Sequence, residues 1–249
     1  MAYTIGLAGK GGTGKTTIAG LLVKYLVEKG KTPVLAVDAD ANANFNDVLG
    51  LTVEETLGDA REEMKKGVAT GMTKNVFMEM KLEQAVVEAG GHDLIVMGRP
   101  EGAGCYCAAN TLLTQYLDRL INNYAYIVID NEAGMEHISR LTTNNIDLLL
   151  VVSDTTRRGI QSAGRIFKLT DELSLEIGRK HLVINMVREG QEKFIERSVS
   201  ENNMTLTGTI PADDEIQDFD LEGRPTIDLG QGNRALDAAY DIFDRIIGK

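Results

Sequence analysis

Eight residues near the start of the chain, GKGGTGKT from Gly9 to Thr16, satisfy the spacing G-x-x-x-x-G-K-[ST]. They follow an apolar run and precede a helical one, the order in which this spacing works as a phosphate loop. Gly9, Gly11, Gly12 and Gly14 let the backbone wrap closely enough to aim successive N–H groups, those around Lys10, Thr13 and Thr17 among them, at phosphate oxygens. The helix that follows adds its positive N-terminal end. In such a loop Lys15 reaches the β and γ phosphates and Thr16 ligates Mg²⁺, so the expected ligand is ATP with Mg²⁺.

Other groups gather where apolar runs end. VDADAN places Asp38, Asp40 and Asn42 just past the second run, and VIDNEAG places Asp130 at the end of another, a Walker B arrangement suited to holding Mg²⁺ or its waters. Taken alone, each aspartate also fits a helix cap. VINMV puts Asn185 at the end of the sixth run and Pro211 follows TLTGTI, where capping or turn roles are also open. The only two cysteines, Cys105 and Cys107, stand one residue apart in GAGCYCAAN. A disulfide between them would close a small, strained ring and constrain almost nothing. As thiolates they are soft ligands suited to Ni²⁺ or Zn²⁺, but two are half of a four-coordinate site. A buried, inert thiol is the ordinary alternative, and the glycines at 102 and 104 argue instead for an exposed turn. His92, His137 and His181 are assigned no metal, and Met64, Met72, Met78, Met80 and Met97 read as core filling or helix surface.

The elements that must position these groups alternate. Short runs at 3–8, 33–38, 93–98, 126–130, 147–153, 181–187 and 205–210 are apolar nearly throughout, as expected of strands covered on both faces. Helical patterns occupy about 15–29, 108–122, 156–173, 190–202 and 233–247. A doubly wound, mainly parallel sheet of seven to eight strands flanked by helices follows, an α/β fold with ligand sites at the C-terminal strand ends. Residues 46–92 carry charged clusters such as REEMKK and read as surface helices inserted beside the sheet. The expected organisation is one domain, 1–249, with that helical excursion.

Composition excludes several classes. With 43% hydrophobic and 25% charged residues the chain reads as an ordered globular protein. A formal net charge of −11 argues against a general nucleic-acid surface, which needs clustered cations. The longest strongly apolar run, IDLLLVV, is far too short to span a bilayer. MAYTIGLAGKGG lacks a basic n-region, so a cytoplasmic protein is expected, with reduced thiols and neither nucleic acid nor membrane as partner.

The second lysine of the loop, Lys10 in KGGTGKT, makes the sequence resemble the deviant Walker A class of MinD, ParA and the nitrogenase iron protein. That resemblance implies a P-loop NTPase fold of this type and a nucleotide-dependent homodimer in which Lys10 crosses to the partner's nucleotide, acting as an arginine finger does in trans. It further implies that Asp40 lies in switch I and orients or activates the attacking water, with Asp38 near the metal, and that Asn185 and Pro211 contact adenine. The catalytic set is then Lys10, Lys15 and Asp40, and the Mg²⁺ set Thr16, Asp38 and Asp130, direct or through water. The class usually reads D-x-P-A-G where this chain has Asp130-Asn131-Glu132-Ala133-Gly134. That departure leaves the metal role of Asp130 in place and the path of switch II open.

Taken together, GKGGTGKT, DADAN, GCYC and EAGMEH resemble the CooC and AcsF group, nickel-handling ATPases that mature carbon monoxide dehydrogenase and acetyl-CoA synthase. For this chain the resemblance implies an ATP-hydrolysing homodimer that binds Ni²⁺, or Zn²⁺ in the same site, through Cys105 and Cys107. Two copies of CYC would supply four thiolates, and the client would be acetyl-CoA synthase or carbon monoxide dehydrogenase. GRPEGAGCYCAAN and DADANAN favour the AcsF-like branch. Two other readings stay open. A spatial-positioning ATPase like MinD or ParA would need a basic amphipathic tail or a basic patch, whereas ALDAAYDIFDRIIGK carries Asp237, Asp241 and Asp244 on its polar side. A redox ATPase like the nitrogenase iron protein would need a cysteine in switch II, and EAGMEH has none.

Overall fold

A computed structural model describes residues 2–40, 44–67, 71–98, 123–132, 146–172 and 176–248. Among them, β1 (Tyr3–Gly9), β2 (Val34–Ala39), β3 (Val86–Glu88), β4 (His92–Val96), β5 (Tyr126–Asn131), β6 (Ile146–Ser153), β7 (Ile177–Val187) and β8 (Leu206–Pro211) form one sheet. Its order is β3-β4-β2-β5-β1-β6-β7-β8. Neighbours run parallel except the edge pair β3 and β4. The expected doubly wound, mainly parallel sheet is therefore present, with β1 and its phosphate loop near the middle.

Successive side chains of a strand point to opposite faces, so strands without polar alternation need cover on both. Ile5 and Leu7 of β1 pack with Val34 and Ala36 of β2 on one face, under α1 (Lys15–Glu28) and the last helix. On the other face, Leu35 and Val37 of β2 meet Ile127 and Ile129, whereas Leu149 and Val151 of β6 meet Leu182 and Ile184. Helix α1 buries Ile18, Leu21, Leu22, Tyr25 and Leu26, the i, i+3, i+4, i+7, i+8 stripe of a core-facing helix.

Helices α2 (Phe45–Leu49), α3 (Leu57–Lys66) and α4 (Lys74–Gln84) occupy the excursion expected over 46–92. They do more than lie on the surface. Leu57 and Ala60 of α3 and Phe77 and Leu82 of α4 are buried against β2, β4 and β5 and provide one covering layer of the sheet. Met64, Met72 and Met80 pack on the same cluster and Met97 is buried in it, the core-filling role expected of them. Helices α5 (Arg157–Glu172) and α6 (Glu192–Glu201) cover β6 and β7 through Ile160, Ala163, Ile166, Ile195 and Val199. On the opposite face lie α7 (Asp214–Glu222), a short 3₁₀ turn (Thr226–Asp228) and α8 (Arg234–Ile247).

Three elements depart from the sequence reading. Strand β3 has only three residues, too few to show a period. The first half of β7 carries exposed Arg179 alongside half-buried Lys180 and His181, which masks a strand behind charge. Helix α7 buries only Phe219, so no apolar stripe announces it. The helix expected over 108–122 lies outside the described residues.

Candidate nucleotide site

The loop from Gly9 to Gly14 leaves β1 at its C-terminal end and enters α1. Two of its glycines are required by what lies against them. A Cβ on Gly9 would collide with the Val152 carbonyl of β6, and one on Gly14, which has φ 82°, with the Asn185 amide. Inside the loop the buried Thr13 donates its hydroxyl to the Lys10 carbonyl at 2.8 Å. Helix α1 then starts at Lys15 with no side-chain cap and no acidic residue in its first turn. Its N–H groups and positive dipole end stay available to an anion. Helices α3, α4, α7 and α8, by contrast, are capped by Thr56, Thr73, Asp213 and Asn233.

Lys15 is buried, with Nζ 3.4 Å from the Lys10 carbonyl. Burial pushes its ammonium pKa down, and the carboxylates of Asp130, Asp40 and Glu132 oppose that shift. Lys10 itself is exposed at the start of the loop.

Two aspartates meet beneath the loop because β2 and β5 are adjacent and parallel, with Asp38 opposite Asp130 in register. Both are almost fully buried. Asp130 accepts the Thr16 hydroxyl on Oδ2 at 2.6 Å, while its Oδ1 is buried with no hydrogen-bond partner among the described residues. Burial, with the Asp38 charge adding to it, pushes Asp130 up to about 7 against the Thr16 hydrogen bond. Burial likewise pushes Asp38 up to about 6, although the backbone N–H groups of Phe45 and Asp40 donate to it at 2.9 Å and 3.0 Å. A buried carboxylate oxygen left without a donor, next to a second carboxylate and a threonine hydroxyl, is an all-oxygen donor set that fits Mg²⁺. When bound, that ion would offset the negative charge of the carboxylates and the phosphates.

Thr16 is thus hydrogen-bonded to Asp130, Asp38 stands opposite Asp130 on the adjacent strand, and Lys15 and Asp40 are near enough for their charges to act on Asp130. Asn131 is an addition that the sequence reading did not assign. Its buried amide donates to the Leu7 carbonyl at 2.7 Å and ties the end of β5 to β1 just before the loop. An asparagine following a strand-terminal aspartate was the available signal.

Asn185 is used differently from a simple base contact. Its Nδ2 donates to the Thr13 carbonyl at 3.0 Å, bracing the loop from β7. What aims it there is a register irregularity between Ile184 and Val187, with Met186 held at φ 57°, a strained conformation for a methionine. Beside it opens a cavity of about 290 Å³, lined on one side by Gly14, Thr17, Ile18 and Leu21 and on the other by Pro211, Asp213, Ile216 and Gln217. Asn185 and Met186 close its end. The apolar floor and polar rim suit a planar heterocycle.

A phosphate cradle, a carboxylate pair on adjacent parallel strands and a neighbouring cavity coincide with a family assignment over residues 5–227, which match the CobQ/CobB/MinD/ParA nucleotide binding domain. The chain belongs to the CobQ/CobB/MinD/ParA family. It is accordingly an ATP-binding NTPase, an ATPase. An uncharacterized ATP-binding protein of Methanocaldococcus jannaschii is 41% identical over 98% of each chain. The carbon monoxide dehydrogenase accessory protein CooC of Rhodospirillum rubrum is 31% identical over 98% of this chain and 95% of its own. Among solved structures, the septum site-determining protein MinD of Pyrococcus horikoshii, complexed with Mg-ADP, superposes with TM-score 0.73 at 23% identity over 99% and 96% of the two chains. A Cyanothece McdA(D38A)-ATP complex gives 0.75 at 20% identity over 99% and 96%. These likenesses confirm the fold of a CobQ/CobB/MinD/ParA protein.

Cys105, Cys107 and His137 lie outside the described residues. Among those described, no group of three or more His, Cys, Asp or Glu side chains is arranged to hold a metal ion by itself. No described helix is long and apolar enough to cross a membrane.

Proposed function

We propose that this ATPase is a maturation factor that handles nickel as cargo for acetyl-CoA synthase or carbon monoxide dehydrogenase. The observation that carries the reading is the 31% identity to the carbon monoxide dehydrogenase accessory protein, which runs over 98% of the chain, joined to a C-x-C pair that ATP hydrolysis does not need. ATP lies with its phosphates on Gly9–Thr16, its Mg²⁺ near Thr16, Asp38 and Asp130, and its base in the cavity beside Asn185 and Pro211. Lys15 neutralises the phosphate charge, Asp40 orients the attacking water, and Lys10, exposed on the loop, completes the site of a second copy. The same pairing brings two Cys105–Cys107 segments together as a four-thiolate site for Ni²⁺, with Zn²⁺ as competitor.

A MinD-like membrane role is less well supported. The septum site-determining protein MinD of Bacillus subtilis is 27% identical over 97% of this chain, but the apolar face of α8 is occupied. Leu236, Ala239, Ile242, Phe243, Ile246 and Ile247 are all buried in the core. The function is tested by reconstituting nickel-free acetyl-CoA synthase or carbon monoxide dehydrogenase with limiting Ni²⁺, Mg-ATP and this protein. The expected result is faster activation that disappears with Lys15→Ala. Activation of both clients at the rate given by Ni²⁺ alone contradicts it.

A further inference from the structure

The base cavity has two walls on different helices. Gly14, Thr17 and Ile18 belong to the loop and α1, which the phosphates anchor, whereas Asp213, Ile216 and Gln217 belong to the start of α7. The second wall packs on the core of the first through Phe219 and Ile216, and its N-terminal end is held by one buried side chain, Asn233.

Asn233 is 6% exposed and uses every hydrogen-bonding position of its amide. Its Oδ1 accepts the N–H groups of Ala235 and Leu236 at 3.0 Å and 2.9 Å, capping α8. Its Nδ2 donates to Asp213 Oδ1 at 2.8 Å and to Glu215 Oε2 at 2.9 Å. Asp213 Oδ1 in turn accepts the Ile216 N–H at 3.2 Å, capping α7. One asparagine therefore joins the N-terminal caps of two helices. Helix α8 is itself clamped to α1, through the Tyr25 hydroxyl on Asp244 at 2.7 Å, the Tyr240 hydroxyl on Glu28 at 2.7 Å and the Tyr25 and Phe243 rings at 5.4 Å. The chain of contacts runs from α1 through α8 and Asn233 to α7 and returns to the cavity that α1 and α7 share.

We infer that Asn233 is a positioning residue for the base half of the nucleotide site, holding the α7 wall at the distance from α1 that a nucleotide base requires. The inference rests on the reading of that cavity as the base site. Both bonds from Nδ2 end on carboxylates, so they are of the stronger, charge-assisted kind, and no other atom of the side chain is free to replace them. Loss of these bonds leaves the phosphate loop's own brace in place, the Asn185 amide on the Thr13 carbonyl.

Asn233→Ser retains a good cap for α8 and removes both donations. The measurement is the dissociation constant of Mg-ATP against that of Mg-tripolyphosphate, which has no base, by calorimetry, together with kcat. Asn233→Ser should raise the ATP constant about tenfold, leave tripolyphosphate within about twofold and leave kcat within about twofold. Asn233→Asp, which keeps the cap but opposes the carboxylates of Asp213 and Glu215, should give the same ligand-selective loss or a larger one, and serves if the serine variant fails to accumulate. Equal weakening of both ligands, or unchanged ATP affinity in a folded variant, overturns the inference. Ile216→Arg, which fills the cavity directly, separates the role of the cavity from that of Asn233. If it too leaves the ratio of ATP to tripolyphosphate affinity unchanged, the cavity does not hold the base. If it lowers that ratio and the Asn233 variants do not, the cavity reading stands and the role of Asn233 falls.

Discussion

Lys10 and Lys15 are five residues apart and have opposite surroundings, one exposed and one buried among carboxylates. Their substitutions should therefore separate binding from turnover. Lys15→Ala removes a charge-assisted contact to phosphate and should weaken ATP by about 10- to 100-fold in a fluorescent-nucleotide titration. Lys10→Ala should bind ATP nearly as well as the parent and lose about a thousandfold or more in kcat, the magnitude of a charge supplied in trans; unchanged turnover removes the trans-lysine argument. Asp130 yields a pH prediction. Without metal it keeps its proton until about pH 7, whereas the unfolded aspartate releases it near 3.8. Folding is thus favoured by a proton that the unfolded chain has already lost, a contribution complete below 3.8 and gone once the pH has risen through about 7. The melting temperature of the metal-free protein should fall across that window, and Asp130→Asn, which cannot titrate, should flatten the fall. At this scale the sequence was readable where spacing encodes chemistry, as in Gly9–Thr16. For Asn185 it did not reveal the bond to the Thr13 carbonyl, because the amide is aimed by a register irregularity and a left-handed Met186 that no local pattern announces.

The parallel strands were legible because burial on both faces leaves apolar runs with no alternation, and α1 and α8 because their stripes are complete. The start of β7 and all of α7 were not. Their residues face water for most of their length and are held by neighbours rather than by their own pattern. The excursion over 46–92 was visible as helical but not as core, since Leu57, Ala60, Phe77 and Leu82 are scattered among charges. The clamp between α1 and α8 is the element on which the nucleotide site leans. Phe243, fully buried against Tyr25, should cost about 3–5 kcal/mol when truncated to alanine, measured by urea denaturation with the m-value unchanged. A loss below about 1 kcal/mol would mean that α8 is not part of the cooperative core.

At the scale of the whole molecule, one sheet brings the phosphate loop, the carboxylate pair and the cavity beside Asn185 to the C-terminal ends of β1, β2, β5, β7 and β8, the edge where ligands collect in open α/β sheets. The C-x-C pair has no counterpart in that machinery. In the proposed function its use depends on a second copy, and a nucleotide can drive pairing only by binding the paired state more tightly, so metal and ATP would affect each other's affinity reciprocally. The most direct measurement is an equilibrium titration of Ni²⁺ into the purified, reduced protein with and without Mg-ATP, following dimer mass alongside, for the parent and the Cys105→Ser, Cys107→Ser double variant. The expected result is one Ni²⁺ per two chains, tighter with nucleotide present and abolished in the double variant. Undiminished tight binding in the double variant, or one Ni²⁺ per monomer indifferent to ATP, would contradict it.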